Sequence, residues 1–363
     1  MSNTNYKANN TDLIQLFRPL TSAPIANTGY FSGQYTNDLS QIFEPYVTGA
    51  PKVAATKYRI SNGNDLSDIF LTINPFWIWT ARETNRNWWG VASSSDGTKL
   101  VATVSGGQIY TSTDSGVTWN ARDTNRNWYG VASSSDGTKL IACVNGGPVY
   151  TSADSGVTWT ARTPNRNYYR VASDASGTKL VALDSFGSIY TSTDSGVTWS
   201  NANNAGSRDW YGIASSSDGT KLVATVINGE IYTSTDSGVT WSNANNAGTR
   251  NWFGVASSSD GTKLVAIVFN GQIWTSSDSG VNWSNANNAG SRPWYGVDSS
   301  SDGTKLVATV ANGQIWTSTD SGVTWSAIES NRFWRQVASS SDGTKIVTCV
   351  GNGGQIYTGI YYP

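Results

Sequence analysis

Arginine is followed two positions later by tryptophan or tyrosine seven times along this chain, and that recurrence is its best starting point for chemistry. The pairs are Arg86/Trp88, Arg126/Trp128, Arg166/Tyr168, Arg208/Trp210, Arg250/Trp252, Arg292/Trp294 and Arg332/Trp334. Aromatic faces beside guanidinium and amide donors suit a sugar, whose C–H faces stack on rings while its hydroxyls take planar hydrogen bonds. The plainer use is internal: arginine stacks on the tryptophan and ties neighbouring repeats together. That use carries more weight, because a residue present in every repeat serves the repeat before it serves a ligand. A small ligand, most naturally a glycan, is expected at Arg208, Trp210, Arg250, Trp252, Arg292 and Trp294, with Arg126 and Trp128 extending the same ring.

Other chemistry is scarce. The chain has no histidine, which removes Ser-His-Asp and Cys-His catalysis and any His-built metal site. Its glutamates are Glu44, Glu83, Glu230 and Glu329. Twelve of the 21 aspartates sit in two recurring turn phrases, Ser-Asp-Gly and Ser-x-Asp-Ser-Gly, where the expected job is to accept hydrogen bonds from turn amides. Unrepeated residues such as Arg170, Asp184, Phe186, Glu230, Asp298 and Arg335 are where a unique site would have to be written, but they are scattered over several repeats. No catalytic residue, metal or cofactor is expected, and no enzyme activity.

The elements that carry these residues come from repetition. Gly-Thr-Lys begins at Gly97, Gly137, Gly177, Gly219, Gly261, Gly303 and Gly343, at spacings of 40, 40, 42, 42, 42 and 40 residues. Each copy holds four short runs rich in Val, Ile, Thr, Trp and Tyr, separated by Asp-Gly, Gly-Gly and Asn-Gly turns, which predicts one four-stranded antiparallel blade per copy. Seven such units predict an all-β, seven-bladed β-propeller over residues 75–363. The last copy stops short of a fourth strand, whereas Trp77–Arg82 matches that strand with no blade before it. The N-terminal strand is therefore expected to complete the C-terminal blade and close the ring. Cys143 and Cys349 fall at equivalent second-strand positions in blades separated by another, so two buried free thiols are expected rather than a disulfide.

The phrase Ser-x-Asp-Ser-Gly-Val-x-Trp, with its aspartate at Asp114, Asp154, Asp194, Asp236, Asp278 and Asp320, resembles the Asp-box of bacterial-neuraminidase-type repeats. Such repeats occur in sialidases, in sortilin-like receptors and in the photosystem II assembly-factor family. The resemblance implies that the Ser-Asp-Gly turns and Asp-boxes share one rim, and that the loops leading into each first strand occupy the other. Three consecutive lead-in loops, Ser200–Arg208, Ser242–Arg250 and Ser284–Arg292, are longer, so one side of that rim is expected to stand taller. A sialidase would add three arginines from different blades, an acid aspartate and a Tyr/Glu nucleophile pair. Here arginine is copied at one position per blade, so the likeness is expected to stop at the scaffold.

Residues 1–74 carry a second repeat. Thr11-Asp-Leu-Ile-Gln-Leu-Phe, Asn37-Asp-Leu-Ser-Gln-Ile-Phe and Asn64-Asp-Leu-Ser-Asp-Ile-Phe place their Asp-Leu pairs at Asp12, Asp38 and Asp65. Each reads as a capped helical turn with apolar residues on one side, and units this small bury little surface alone. The apolar pairs Leu16-Phe17, Ile42-Phe43 and Ile69-Phe70 are expected to be assembly contacts, either in self-association or against other structural proteins. The phrase resembles short repeats in structural and surface proteins of large DNA viruses.

A net charge of −1, with 13% charged residues and no long apolar run, points to neither nucleic acid nor membrane insertion. The opening MSNTNYKANNTD lacks the apolar core of a signal peptide, so synthesis in the cytoplasm is expected, with the product displayed on a virion or particle surface. Three functions stay open: a non-enzymatic structural or surface protein attached through residues 1–74, a lectin using the Arg-x-Trp ring, and an assembly factor similar to the photosystem II family.

Overall fold

A computed structural model describes residues 76–362, Asn245 excepted. Leu16, Phe17, Ile42, Phe43, Ile69 and Phe70, and with them the three N-terminal repeats, lie outside the described residues.

Each of the first six Gly-Thr-Lys repeats folds as four antiparallel strands in chain order, and the seventh supplies three. In the fourth these are Trp210–Ser215, Leu222–Val226, Ile231–Ser234 and Ser242–Asn243, each pairing with the next. Where the lead-in loops are short, strands run on through the turns, as in Leu100–Ser112 and Asn120–Ser133. The second strand of the fourth repeat, Leu-Val-Ala-Thr-Val, is buried along its whole length because blades cover both of its faces. That is why it reads as a continuous apolar run rather than an alternating one.

The core is divided among the blade interfaces. Among the described residues it forms seven clusters, each joining two successive blades around the first aromatic residue of a first strand. Val181, Leu183 and Ile189 of the third repeat, for example, meet Trp210, Leu222 and Ala224 of the fourth. The cluster around Trp88 joins the first repeat to the last through Val347, Cys349 and Ile356. A blade is therefore stable only in company, as expected of a stacked repeat.

Closure happens twice. Strand Phe76–Arg86 pairs antiparallel with Gly354–Tyr362, in a register running from Phe76 opposite Tyr362 to Arg82 opposite Ile356, so the N-terminal strand completes the last blade as expected. Nearer the axis, Ser95 N donates to Ser135 O, and equivalent bonds of 2.7–2.8 Å pass through residues 175, 217, 259, 301 and 341 back to Ser95 O. Because every amide in that circle finds a carbonyl in the next repeat, no blade presents a free end.

The same rim carries both turn phrases, since Ser115 N donates to Thr98 O at 2.9 Å. Lysine stitches it between blades: Lys221 Nζ reaches Ser279 Oγ at 3.2 Å, and Lys345 Nζ reaches Asp96 O at 2.8 Å. The lead-in loops occupy the opposite rim. Cys143 and Cys349 are free and fully buried, and burial pushes both thiols up to about 12. Among the described residues no helix is long and apolar enough to cross a membrane.

Candidate functional site

The repeated arginines are spent on the scaffold. All seven lie over the aromatic residue of their own blade's third strand, from Arg126 on Tyr150 and Arg166 on Tyr190 at 4.9 Å to Arg250 on Trp274 and Arg292 on Trp316 at 4.2 Å. Arg126 and Arg332 also lie 5.8–5.9 Å from their own Trp128 and Trp334. The side chain thus fastens the lead-in loop to the third strand of one blade while the backbone pairs with the blade before it, as Arg126 does with Gly107 and Arg292 with Gly271, so the arginine ties adjacent blades as expected.

Each guanidinium has a second partner. On three short loops it is the acid three residues before, as in Arg86 with Glu83 at 3.1 Å, and Arg166 takes the unrepeated Asp184 at 3.8 Å. On the long loops it is a carbonyl: Arg208 Nε donates to Ala205 O and Arg292 Nε to Ala289 O, both at 3.0 Å. In each of those loops one alanine turns inward, Ala205, Ala247 and Ala289 being fully buried, while the asparagine before it stays exposed.

The aromatic half of the expected ligand ring is unavailable. Trp128, Trp210, Trp252 and Trp294 are 0% exposed. Each forms the heart of an inter-blade cluster. Except at Trp294, these indoles also donate to a lead-in-loop carbonyl, as Trp252 does to Gly248 O at 3.1 Å. A sugar cannot stack on a ring already covered on both faces. The arginines of the ring stay partly accessible, but the platform expected beside them is core.

The turn aspartates are equally committed. In the first repeat Ser94 Oγ, Thr98 N and Thr98 Oγ1 all donate to Asp96 at 2.6–2.9 Å. Ser112 Oγ, Thr118 N and Thr118 Oγ1 donate to Asp114 at 2.6–2.8 Å. The serine donor first, then the threonine donors, hold Asp96, Asp136, Asp218, Asp260 and Asp302 down to about 2. Partial desolvation opposes the shift at Asp114 and is outweighed by Thr118, leaving it at about 2. The loop needs two left-handed residues in a row, Ser115 at φ 59° and Gly116 at φ 85°, of which the sequence pattern advertises only the glycine.

What remains is the axis. In every first strand the pairing register shifts directly after the buried aromatic residue, as between Trp88 and Gly90. A bulge of this kind re-aims one side chain. The residues so placed are Trp89, Tyr129, Tyr169, Tyr211, Phe253 and Tyr295, and in the seventh repeat Arg335. Successive rings stand 4.1–5.4 Å apart from Trp89 round to Tyr295. Arg335 closes the circle, 3.9 Å from the Trp89 ring and 5.7 Å from the Tyr295 ring.

Behind this belt lies a cavity of about 220 Å³ walled by the first strands of all seven repeats. The next position of each strand is glycine in five repeats, where a Cβ at Gly130 would come within 2.9 Å of the Arg170 Cα and one at Gly296 within 2.6 Å of the Arg335 carbonyl. Glycine lets neighbouring inner strands approach; Arg170 and Gln336 take that position in the other two repeats. Arg170 lies over Tyr169 and Tyr211 at 4.7 and 5.4 Å. The two tyrosine hydroxyls share a hydrogen bond of 2.6 Å, and burial pushes both phenols up, so they stay neutral. On the wall formed by the sixth repeat Asp298 accepts from Ser339 N at 2.7 Å, and burial pushes its carboxyl up to about 6.

Solved structures share this architecture. The fold is a β-propeller. YCF48 from Cyanidioschyzon merolae superposes with a TM-score of 0.62 at 15% identity, covering 78% of this chain and 98% of that one. A second structure, YCF48 bound to D1 peptide, matches at 0.63 and 15%, covering 78% and 96%. A GH74 xyloglucanase from Xanthomonas campestris matches at 0.63 and 13% identity, and there this propeller spans only 53% of the larger chain. Identities this low speak for the fold alone. No protein-family profile and no curated protein sequence matches the chain.

The unrepeated residues thus separate into uses the sequence does not reveal. Asp184 serves Arg166, Glu230 meets the Asn243 side chain, and Phe186 stands exposed in a turn. Arg170, Asp298 and Arg335, far apart in the chain, converge on the axis. Sequence reading passed over the belt itself, although the aromatic pairs Trp88-Trp89, Trp128-Tyr129, Tyr168-Tyr169, Trp210-Tyr211, Trp252-Phe253 and Trp294-Tyr295 were its signal.

Proposed function

We propose that this chain is a non-enzymatic, surface-displayed structural propeller, a component of a virion or similar particle attached through residues 1–74. The observation that carries this reading is how completely its repeated polar residues are used up. Twelve aspartates are engaged by turn donors and seven arginines are clamped on aromatic rings, so the repetition serves a robust scaffold. Glycoside hydrolysis needs two carboxyl groups facing one bond, and Asp298 is the one carboxyl lining the axial cavity. Among the described residues no cluster of three acidic, cysteine or histidine side chains could hold a metal. The buried tryptophans count against the lectin alternative.

An assembly-factor role is the second reading. It draws on the shared fold with YCF48, one structure of which is bound to a D1 peptide.

Attachment is tested in the full chain. Phe17→Ser, Phe43→Ser and Phe70→Ser together should abolish self-association or particle copurification while leaving propeller melting unchanged. Undiminished assembly by the triple variant, measured by light scattering and sedimentation with particles, would transfer the role to the propeller. Release of a fluorophore from a glycoside above a heat-inactivated control would overturn the non-enzymatic part.

A further inference from the structure

Arg170 and Arg335 differ from every repeated arginine in being buried, since the seven on the rim all stay partly exposed. Arg170 is 8% exposed and Arg335 7%. Arg170 Nη1 donates to the Tyr169 carbonyl at 3.3 Å, whereas its Nη2 has no partner; Arg335 Nη1 reaches Tyr295 Oη at 3.4 Å, whereas its Nε has none. Neither forms one of the ion pairs found among the described residues. A buried guanidinium with an unused donor and no counter-charge is costly, and aromatic faces return only part of what water supplied.

We propose that the axial cavity binds a small amphoteric molecule of amino-acid size, its carboxylate taken by Arg170 and its amino group directed to Asp298. Both side chains line the one cavity, from the third and sixth repeats of the ring and therefore from opposing walls. Both are departures from the repeat: Arg170 stands where five copies have glycine, and Asp298 where the other six have alanine. Drift would scatter charged departures over the surface, but these two line the same cavity. Arg335, the seventh member of the belt, stands between the sixth and first repeats, 3.9 Å from the Trp89 ring and 5.7 Å from the Tyr295 ring, and Gln336 contributes an amide to the lining. Arg170 on the third-repeat wall and Asp298 on the sixth-repeat wall thus offer the cavity one charge of each sign, complementary to a zwitterion. At about 220 Å³ the space holds several waters at about 30 Å³ each, or one small solute displacing them. The site is independent of any attachment through residues 1–74.

The experiment is calorimetric titration of the full chain with serine, acetate and ethylammonium. Serine should bind saturably and at least tenfold more tightly than either half-ligand. Arg170→Gly and Asp298→Ala each restore the residue that other repeats carry, so both should fold, and each should weaken serine at least tenfold. Arg170→Gly should also remove acetate binding, whereas Arg208→Ala on the rim should leave serine binding unchanged. Absence of saturable serine binding at millimolar concentration, or equal affinity in Arg170→Gly, would show that Arg170 is only a plug packed among tyrosines. Acetate binding as tightly as serine would remove Asp298 from the site. In the unaltered chain the side-chain Nε–H resonance of Arg170 must also move on adding serine, and a stationary resonance overturns the proposal even if a variant misfolds.

Discussion

The lead-in rim and the axis both gather arginines against aromatic rings, yet the two regions treat them differently. On the rim each of the seven arginines has an aromatic face and an acid or carbonyl, and the tryptophan or, after Arg166, tyrosine two residues on is sealed in the core. On the axis two arginines have aromatic faces but are buried without a counter-charge, and one of them, Arg170, lines a cavity. Repetition explains the first pattern: a residue copied with the blade meets the same neighbours each time, and its interactions can be completed locally. Departure from repetition explains the second, since one copy alone changes and no neighbour changes with it.

The sharpest test of this contrast uses adjacent residues. Trp252→Ala should destabilise the propeller by about 3–5 kcal/mol in chemical denaturation, because it empties the centre of an inter-blade cluster. Phe253→Ala, one residue on and half-buried in the belt, should cost about 1–2 kcal/mol. Equal costs would mean that the belt is as much core as the rim tryptophans are.

Acid should separate the two regions next. The turn aspartates have folded pKa values below those of the unfolded chain, with eight of them at about 2. Their contribution is present above about pH 4 and is lost as pH falls towards 2. A melting temperature that falls steeply over this window is expected, and a flat profile would show that the turn hydrogen bonds do not depend on charge.

Asp298 has the opposite sign. Its folded pKa of about 6 lies above the ordinary carboxylate value, so the folded state holds its proton longer and stability declines as pH rises from about 4 to 6. Asp298→Ala should therefore raise stability by about 1–2 kcal/mol at pH 7, discounted because the side chain is half-buried, and by almost nothing at pH 4. The difference is read from denaturation at the two pH values. The smallest effect is expected on the rim: Arg250→Met keeps the stem over Trp274 and loses the cation, costing about 0.5–1 kcal/mol.

Much of this was legible in the residues. The 40- and 42-residue spacings and the turn dipeptides yielded four-stranded blades, and the orphan strand around Trp77 yielded the closure, because hydrogen-bond pairing of strands is encoded locally and repeatedly. The free thiols followed from equivalent positions. The rim tryptophans were misplaced, since a tryptophan preceding a short strand reads the same whether it faces solvent or the next blade. The axial belt was overlooked for a related reason: a bulge decides which of two consecutive aromatic residues turns inward, and nothing in Trp252-Phe253 announces the bulge.

The sequence by itself determined the repeat, its strands, its turns and the residues each turn consumes, because these depend on neighbours within about ten positions. Only the tertiary structure decided what meets on the axis. Arg170, Asp298 and Arg335 belong to different blades, and what they meet depends on how seven bulged first strands crowd around one axis, to which every blade contributes and which no local pattern records.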